Sequence, residues 1–396
     1  MAALLGAGIK IVVVHTLNDE PERNKRAQRA VPLIAAAMAV TVVAGILYLR
    51  SVAPPSNGLR APGIPVMSGP YTVTYDFVTP LLGWALVLDY SSFSTNYWIF
   101  RTTDGASHWD VQHAGQAEGG RTYIHFFDDQ HGYAYAGISY RTEDGGVHWQ
   151  TIEGVPGATP YVSFASATRG WAVGFEAGSQ HLYSTSDGGL TWMRQAAPLP
   201  TQAALEPISE IQGSAFRESG EGWLGAGYPS PIVYLTLDGG ASWREMEIPP
   251  SPGAPKGAGY LTSARLVPGG AVLVMVSDDS GRALGVFLTG NRGVSWRRVA
   301  FPISVSTFDD LAFVDATNWW VLRSGYIWTT PNAGLNWTQL APAGLPDGWR
   351  YEGFRVIDPH HAWWSMVSSF KSTNSALAMT SDGGEHWVMV NPPQPH

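Results

Sequence analysis

Residues 161–195 read YVSFASATRGWAVGFEAGSQHLYSTSDGGLTWMRQ. YVSFAS, GWAVGF, HLYSTS and TWMRQ are short runs of alternating apolar and polar residues, separated by turn-forming Ala-Thr-Arg, Glu-Ala-Gly and Asp-Gly-Gly, so the stretch predicts four antiparallel strands. Its octapeptide TSDGGLTW (185–192) recurs as TTDGASHW (102–109), TEDGGVHW (142–149), TLDGGASW (236–243), TGNRGVSW (289–296), TPNAGLNW (330–337) and TSDGGEHW (380–387). Trp109 and Trp387 are 278 residues apart in six intervals, about 46 per repeat, the length of one four-stranded propeller blade. A second landmark precedes each octapeptide: an apolar residue followed seven positions later by an aromatic. It appears as Phe77/Trp84, Phe126/Tyr133, Phe164/Trp171, Phe216/Trp223, Phe313/Trp320 and Val356/Trp363, and is reduced to Leu266/Leu273 in the fifth repeat. One four-stranded sheet cannot bury both faces, whereas seven arranged radially cover one another. The chain is therefore expected to be all-β, a seven-bladed propeller over residues 70–391 with a short tail, 392–396.

Within the octapeptide, the third residue (Asp104, Asp144, Asp187, Asp238, Asn291, Asn332, Asp382) suits a hairpin turn in which a carboxylate or amide oxygen accepts backbone N–H bonds. The fifth, Gly except at Ala106, supplies a backbone conformation that a β-carbon opposes. The eighth (Trp109, Trp149, Trp192, Trp243, Trp296, Trp337, Trp387) is expected to pack its ring across the blade, burying on the order of 200 Å². Seven copies argue for structure, since catalysis or metal binding needs one or two privileged positions.

These octapeptides resemble the Asp box, or bacterial neuraminidase repeat, and the fuller GWAVG-to-TSDGGLTW pattern resembles the photosystem II stability/assembly factor-like branch of that superfamily. The resemblance covers residues 70–391 and implies a membrane-associated propeller that holds other proteins while a complex assembles. Asp boxes also occur in sialidases, xyloglucanases and sortilin-type receptors, so the motif speaks to fold more than to function. A sialidase would carry Arg-Ile-Pro in its first blade, where this chain has YTVTYDFVTP; a xyloglucanase-like enzyme sets two propellers face to face, and the length here suits one. GxSxG, HExxH, Walker and dinucleotide motifs are missing. The reading is a non-enzymatic protein-binding scaffold without cofactor or metal; the alternative is a carbohydrate-active hydrolase or glycan-binding propeller.

Upstream, residues 31–49, VPLIAAAMAVTVVAGILYL, form an uncharged run flanked by Arg23, Lys25, Arg26, Arg29 and Arg50. As a helix it would span roughly 28 Å, close to a bilayer's hydrocarbon core. The basic cluster puts residues 1–30 in the cytoplasm and the propeller outside it, on a bacterial cell surface or in a periplasm, by the positive-inside rule. A cleavable signal peptide is the competing reading, but its apolar region is shorter and Pro54-Pro55 follow the small-residue exit. Residues 50–69, rich in Pro, Gly and Ser, read as a linker. The chain's 396 residues include no Cys, which excludes disulfides, thiolate metal sites and a thiol nucleophile. Residues 51–396 carry 18 basic and 29 acidic side chains, a poor match to nucleic acid.

The octapeptides organise the face that holds the turns between strands one and two and strands three and four, so variable binding loops are expected on the other face. The longest blade-internal loop, DYSSFSTNYW (89–98), offers Tyr90, Phe93 and the Asn96-Tyr97 pair. Blade-joining loops 195–207, 248–260 and 341–351 are long and Pro-rich, and with Tyr228 they add Tyr260, Trp349 and Arg350 as candidate partner-binding residues. His125, Asp128, Asp129 and His131 resemble a metal cluster, but alignment places them in the strand one–two turn with Asp315 and Asp358. The chain beyond residue 50 has 16 Arg but only two Lys, a bias that suits bidentate contacts and that a GC-rich genome would equally give; the assembly-factor resemblance implies an arginine patch, onto which Arg169, Arg217, Arg265 and Arg355 do not map residue by residue. Ring closure is open: blade seven ends with its own outer strand, and residues 62–68 are available to add another.

Overall fold

The computed structural model describes residues 65–89, 95–117, 122–152, 162–176, 179–195, 216–225, 230–249, 260–278, 282–302, 311–323, 326–368 and 374–395. They form seven antiparallel sheets, each built from consecutive strands, the blades of a seven-bladed propeller. Blade one runs Tyr71–Phe77, Gly83–Asp89, Thr95–Thr102 and Asp110–Ala117 from the inside outwards. The other blades repeat this order, beginning at Tyr123, Val162, Phe216, Tyr260, Leu311 and Trp349. In blade four three strands are described, with Phe216 bridged to Gly222 on their inner side. Among the described residues no helix is long and apolar enough to cross a membrane. The apolar run 31–49 and the linker to residue 64 lie outside the described residues.

The two sequence landmarks meet in one sandwich between neighbouring blades. Phe126 of blade two is stacked on Trp84 of blade one, with centroids 3.4 Å apart and planes at 4°, and takes the edge of its own octapeptide's Trp149 at 5.9 Å and 90°. Phe77 lies in the same way between Trp363 of blade seven (3.8 Å, 6°) and Trp109 (6.1 Å, 71°), and Phe216 between Trp171 (4.5 Å, 9°) and Trp243 (6.2 Å, 80°). The octapeptide tryptophan is thus a boundary residue rather than one confined to its own blade. Where blade seven has Val356 in place of Phe, Trp320 meets Phe354, two positions earlier on the same strand face, at 5.8 Å. The Phe rings also lie flat over the neighbouring strand: a β-carbon at Gly132 would come within 2.5 Å of the Phe126 ring, which is why glycine precedes the second-strand aromatic.

Hydrogen bonds reinforce the boundary. Trp84 and Trp171 donate their Nε1–H to the carbonyl oxygens of Gly145 and Gly239, the fourth octapeptide residue of the blade they pack against, at 3.0 and 3.1 Å. In blade five Arg292 stands at this position, and the connection changes. Trp223 donates instead to the buried carboxylate of Glu221 (3.2 Å), whose other oxygen takes Arg292 Nε at 2.8 Å while Arg217 Nε approaches to 3.5 Å.

Both ends of the propeller take part in ring closure. Met67 exchanges two 2.9 Å backbone hydrogen bonds with Ser375, on the edge of the third strand of blade seven that also pairs with Val388–Val390. After that outer strand, the Asn391 carbonyl accepts Trp109 Nε1–H of blade one at 2.8 Å, and Asn391 Nδ2 donates to Ser107 O at 3.1 Å. Blade seven therefore keeps its own outer strand and the 65–68 segment extends the same edge.

Candidate functional site

All seven octapeptides share one hydrogen-bond pattern. The first-position Thr hydroxyl donates to the third-position Asp or Asn Oδ1 at 2.7–3.0 Å and accepts the fifth residue's N–H at 2.8–3.1 Å. The same Oδ1 accepts the seventh residue's N–H at 2.9–3.0 Å. In the five Asp versions Oδ2 also meets the seventh side chain: His108, His148, Thr191, Ser242 or His386. The His108 N–H, then its side chain, pull the Asp104 pKa down to about 2; in Asp238 the Ser242 hydroxyl leads the same shift to about 2. The fourth and fifth residues both take left-handed φ, so Ala106, Arg292 and Ala333 occupy a conformation that favours glycine. In six blades the fourth N–H donates to a carbonyl in the strand one–two turn, as in Gly145 to Gln130 (2.8 Å), locking the two turns of this face together.

That face also holds the central mouth. A cavity of about 580 Å³ is lined by the inner-strand ends and first turns of blades seven, one, two and three, including Phe77, Phe127, Phe164, His125, Asp128 and Arg355. The position just before the Phe landmark is charged or titratable in four blades, as Arg355, Asp76 and His125 in three consecutive ones and Arg265 in blade five; of these Arg355 and His125 line the cavity. Asp76 is buried; its Oδ2 accepts the Phe126 N–H at 2.6 Å and lies 3.1 Å from His125 Nδ1, while Oδ1 lies 3.2 Å from Arg355 Nε. Burial alone would raise the Asp76 pKa, but Arg355, His125 and the Phe126 N–H hold it below the usual carboxylate range. Arg265 is spent within the fold, donating to Leu311 O at 2.7 Å and lying over the Phe313 ring at 5.3 Å. These charges are visible in the aligned repeats as one column, a signal that a search for clustered motifs passes over.

His125 accordingly belongs to an inner strand, Tyr123–Phe126, and not to the strand one–two turn in which the alignment put it: strand pairing continues through His125 opposite Tyr133. Asp128 is in the turn, accepting the N–H groups of Gln130 (2.8 Å) and His131 (2.7 Å), as Asp315 and Asp358 do in theirs. Among the described residues, the group close enough to share a metal ion is Asp382, Glu385 and His386, all exposed in one octapeptide, with His386 Nδ1 already 2.7 Å from Asp382 Oδ2.

The candidate partner-binding residues scatter. Tyr90, Phe93 and Tyr228, with most of loops 195–207 and 248–260, lie outside the described residues. Tyr97 is 1% exposed, packed between His113 and Tyr140 with both ring centroids at 5.8 Å; strand alternation turns it inward, which removes it from the surface set, while Asn96 beside it is half-buried. Tyr260 and Trp349 begin inner strands and pack partly against blade cores, and Arg350 is exposed and paired with Glu352. Arg169 lies over the Trp171 ring and donates to Glu218 O, so it serves the boundary between blades three and four. The described cavity opens on the octapeptide face, opposite the one on which the long loops had directed attention.

Residues 157–283 match the family model described as photosynthesis system II assembly factor YCF48. No curated protein matches the chain. Among solved structures, YCF48 bound to D1 peptide is 14% identical with a TM-score of 0.48 over 81% of this chain and 99% of that one. YCF48 from Cyanidioschyzon merolae is 15% identical, TM-score 0.47, over 83% and 96%. A Mycobacterium tuberculosis puromycin-hydrolyzing peptidase is 11% identical, TM-score 0.51, over 82% of this chain and 54% of its own, a likeness of propeller fold alone. With seven Asp boxes and seven blades the chain is an Asp-box β-propeller, and across blades three to five it is similar to the YCF48 family.

Proposed function

We propose that this propeller is a non-enzymatic scaffold that grips a segment of a protein partner in its central mouth, anchored through residues 31–49 and held outside the cytoplasm. The observation that carries this is the state of the mouth's charges. Asp128, the carboxylate among its described lining residues, and Asp76, buried behind the lining, are both held below the usual carboxylate range, whereas a glycosidase acid must stay protonated. Asp76 is committed to Arg355 and His125, and the rings of Phe77, Phe126 and Phe164 are buried at the blade boundaries, leaving half-buried Phe127, His125, Arg355 and turn backbone along the mouth, a mixed lining suited to an extended peptide. The family match supports the assembly-factor part of the reading, and one solved YCF48 holds a peptide of D1. The uncharged run and its basic flank support the anchor.

The test is a crosslinking pull-down of the full-length chain from native membranes, beside Ala167→Trp, which fills the mouth from a half-buried turn position. Specific recovery of a membrane protein that Ala167→Trp abolishes is expected. Glycosidase turnover with no specific partner would sink the reading.

A further inference from the structure

The Asp-box face is charged unevenly around its ring, and every strand one–two turn and every box on it belongs to the described residues. In blades seven, one and two (turns 357–361, 78–82 and 127–131, boxes 380–387, 102–109 and 142–149) these segments hold eight carboxylates and no Arg or Lys. The equivalent segments of blades three to six hold five carboxylates and three Arg. Histidine follows the same division: six of the chain's 11 His lie in the first set and none in the second. Three of the six, His108, His148 and His386, fill the seventh box position, where Thr191, Ser242, Ser295 and Asn336 make the same backbone bond, so the box does not require them.

In these three histidines and in His131 and His361, Nδ1 lies 2.6–2.9 Å from an Asp carboxylate. An ionised carboxylate only accepts, so Nδ1 supplies the hydrogen and a neutral ring keeps its lone pair on Nε2. The sector therefore presents acceptors, carboxylate oxygens and imidazole nitrogens together. Of the arginines that flank it, Arg101 lies over the Trp84 ring, Arg141 pairs with Glu143 and donates to Asp187 O, and Arg355 pairs with Asp76. A second, independent feature falls in the same place. The cavity of about 580 Å³ opens here, with half-buried Phe127 and His125 edge to face at 4.8 Å beside exposed Asp128.

From this we infer that the partner segment gripped by the propeller is cationic: a Lys or Arg side chain enters the mouth beside Phe127 and Asp128, and further basic residues lie across the carboxylate-bearing turns of blades seven, one and two. The inference rests on the mouth-binding reading above and names the chemistry of its ligand. A cation on an apolar stem suits an aromatic ring next to a carboxylate. An acidic segment would meet one Arg in the mouth, already paired with Asp76, and would cross eight carboxylates to reach it, a juxtaposition that charge complementarity disfavours. Asp129 and Glu385 are exposed carboxylates left for direct contact, since the turn hydrogen bonds engage Asp128 and Asp382 instead.

The full chain in detergent is titrated against a fluorescein-labelled peptide of alternating Lys and Ala, and against its Glu-Ala counterpart, with anisotropy as the readout. Asp129→Asn with Glu385→Gln removes two exposed charges from the sector. Glu218→Gln with Glu247→Gln removes two exposed charges from blade four and controls for the general attraction of an acidic protein for a basic peptide. The expected result is binding of the Lys-Ala peptide alone, weakened about fivefold or more by the sector pair and by Ala167→Trp, and less than about twofold by the blade-four pair. Equal weakening by the two pairs, or no binding of the Lys-Ala peptide, overturns the inference, and binding of the Glu-Ala peptide in its place overturns it in favour of an acidic segment. The pull-down keeps this result apart from the scaffold reading. A membrane partner that Ala167→Trp abolishes, but that excess Lys-Ala peptide does not displace, upholds the scaffold and overturns the cationic segment. Lys-Ala peptide bound in the sector with no partner recovered upholds the surface and sinks the scaffold.

Discussion

Replacing one box carboxylate tests how the repeated turn is held. In Asp187→Ala three donors lose their acceptor: the Thr185 hydroxyl (2.8 Å), the Thr191 N–H (2.9 Å) and the Thr191 hydroxyl (2.6 Å). Thr191 is exposed, so its donors turn to water at little cost. Thr185 is buried, 3% exposed, and its stranded hydroxyl dominates; the loss is about 1–3 kcal/mol. For a domain of this size that lowers the melting temperature by about 2–6 °C. Asp187→Asn, the residue of blades five and six, keeps the Oδ1 contacts and is expected to lose less than half as much. The pH dependence has a definite sign. Asp187 is held down to about 2 in the folded protein, against an ordinary value of 3.8, by hydrogen bonds from Thr191 and Thr185 that outweigh its desolvation. The carboxylate's contribution is therefore complete above pH 3.8 and fades as pH falls through 2. Thermal melts of the two proteins at matched scan rate should differ by a constant interval from neutral pH to near 4, and converge toward pH 2. Identical melts at pH 7, or a gap that persists unchanged at pH 2, would refute the account.

Phe126→Ala opens the sandwich between Trp84 and Trp149 and is expected to cost about 3–5 kcal/mol, read by urea unfolding; a loss below about 1 kcal/mol would show that the neighbouring blades collapse into the space. Gly189→Ala puts a β-carbon at φ +88°, 3.0 Å from Ile152 Cδ1, and should destabilise by about 1–3 kcal/mol, a result that an unchanged melt contradicts. Glu221→Ala strands the buried Trp223 Nε1–H at the boundary between blades four and five, while Arg292, 57% exposed, turns to water, for a loss of about 1–3 kcal/mol. Its check is hydrogen exchange, with faster exchange in blades four and five before the rest of the ring. Ala167→Trp should leave the melt unchanged while abolishing partner capture; retained capture places the partner elsewhere.

The blade count, the strand order and the chemistry of the box turn were legible in the residues because each is local. A turn that needs Thr, Asp and Gly at fixed spacing writes itself into the chain seven times, and strand alternation needs only neighbouring residues. Sequence also isolated the apolar run 31–49 and the cysteine-free composition, which bear on anchoring and chemistry without reference to the fold. What tertiary structure alone decided lies between blades. Phe126 and Trp84 are 42 positions apart and Phe77 and Trp363 are 286, so no periodicity within a strand shows that they stack. The Arg355–Asp76–His125 chain became a site only when ring closure brought blade seven beside blade one, and Tyr97 left the binding surface because its strand phase turned it inward.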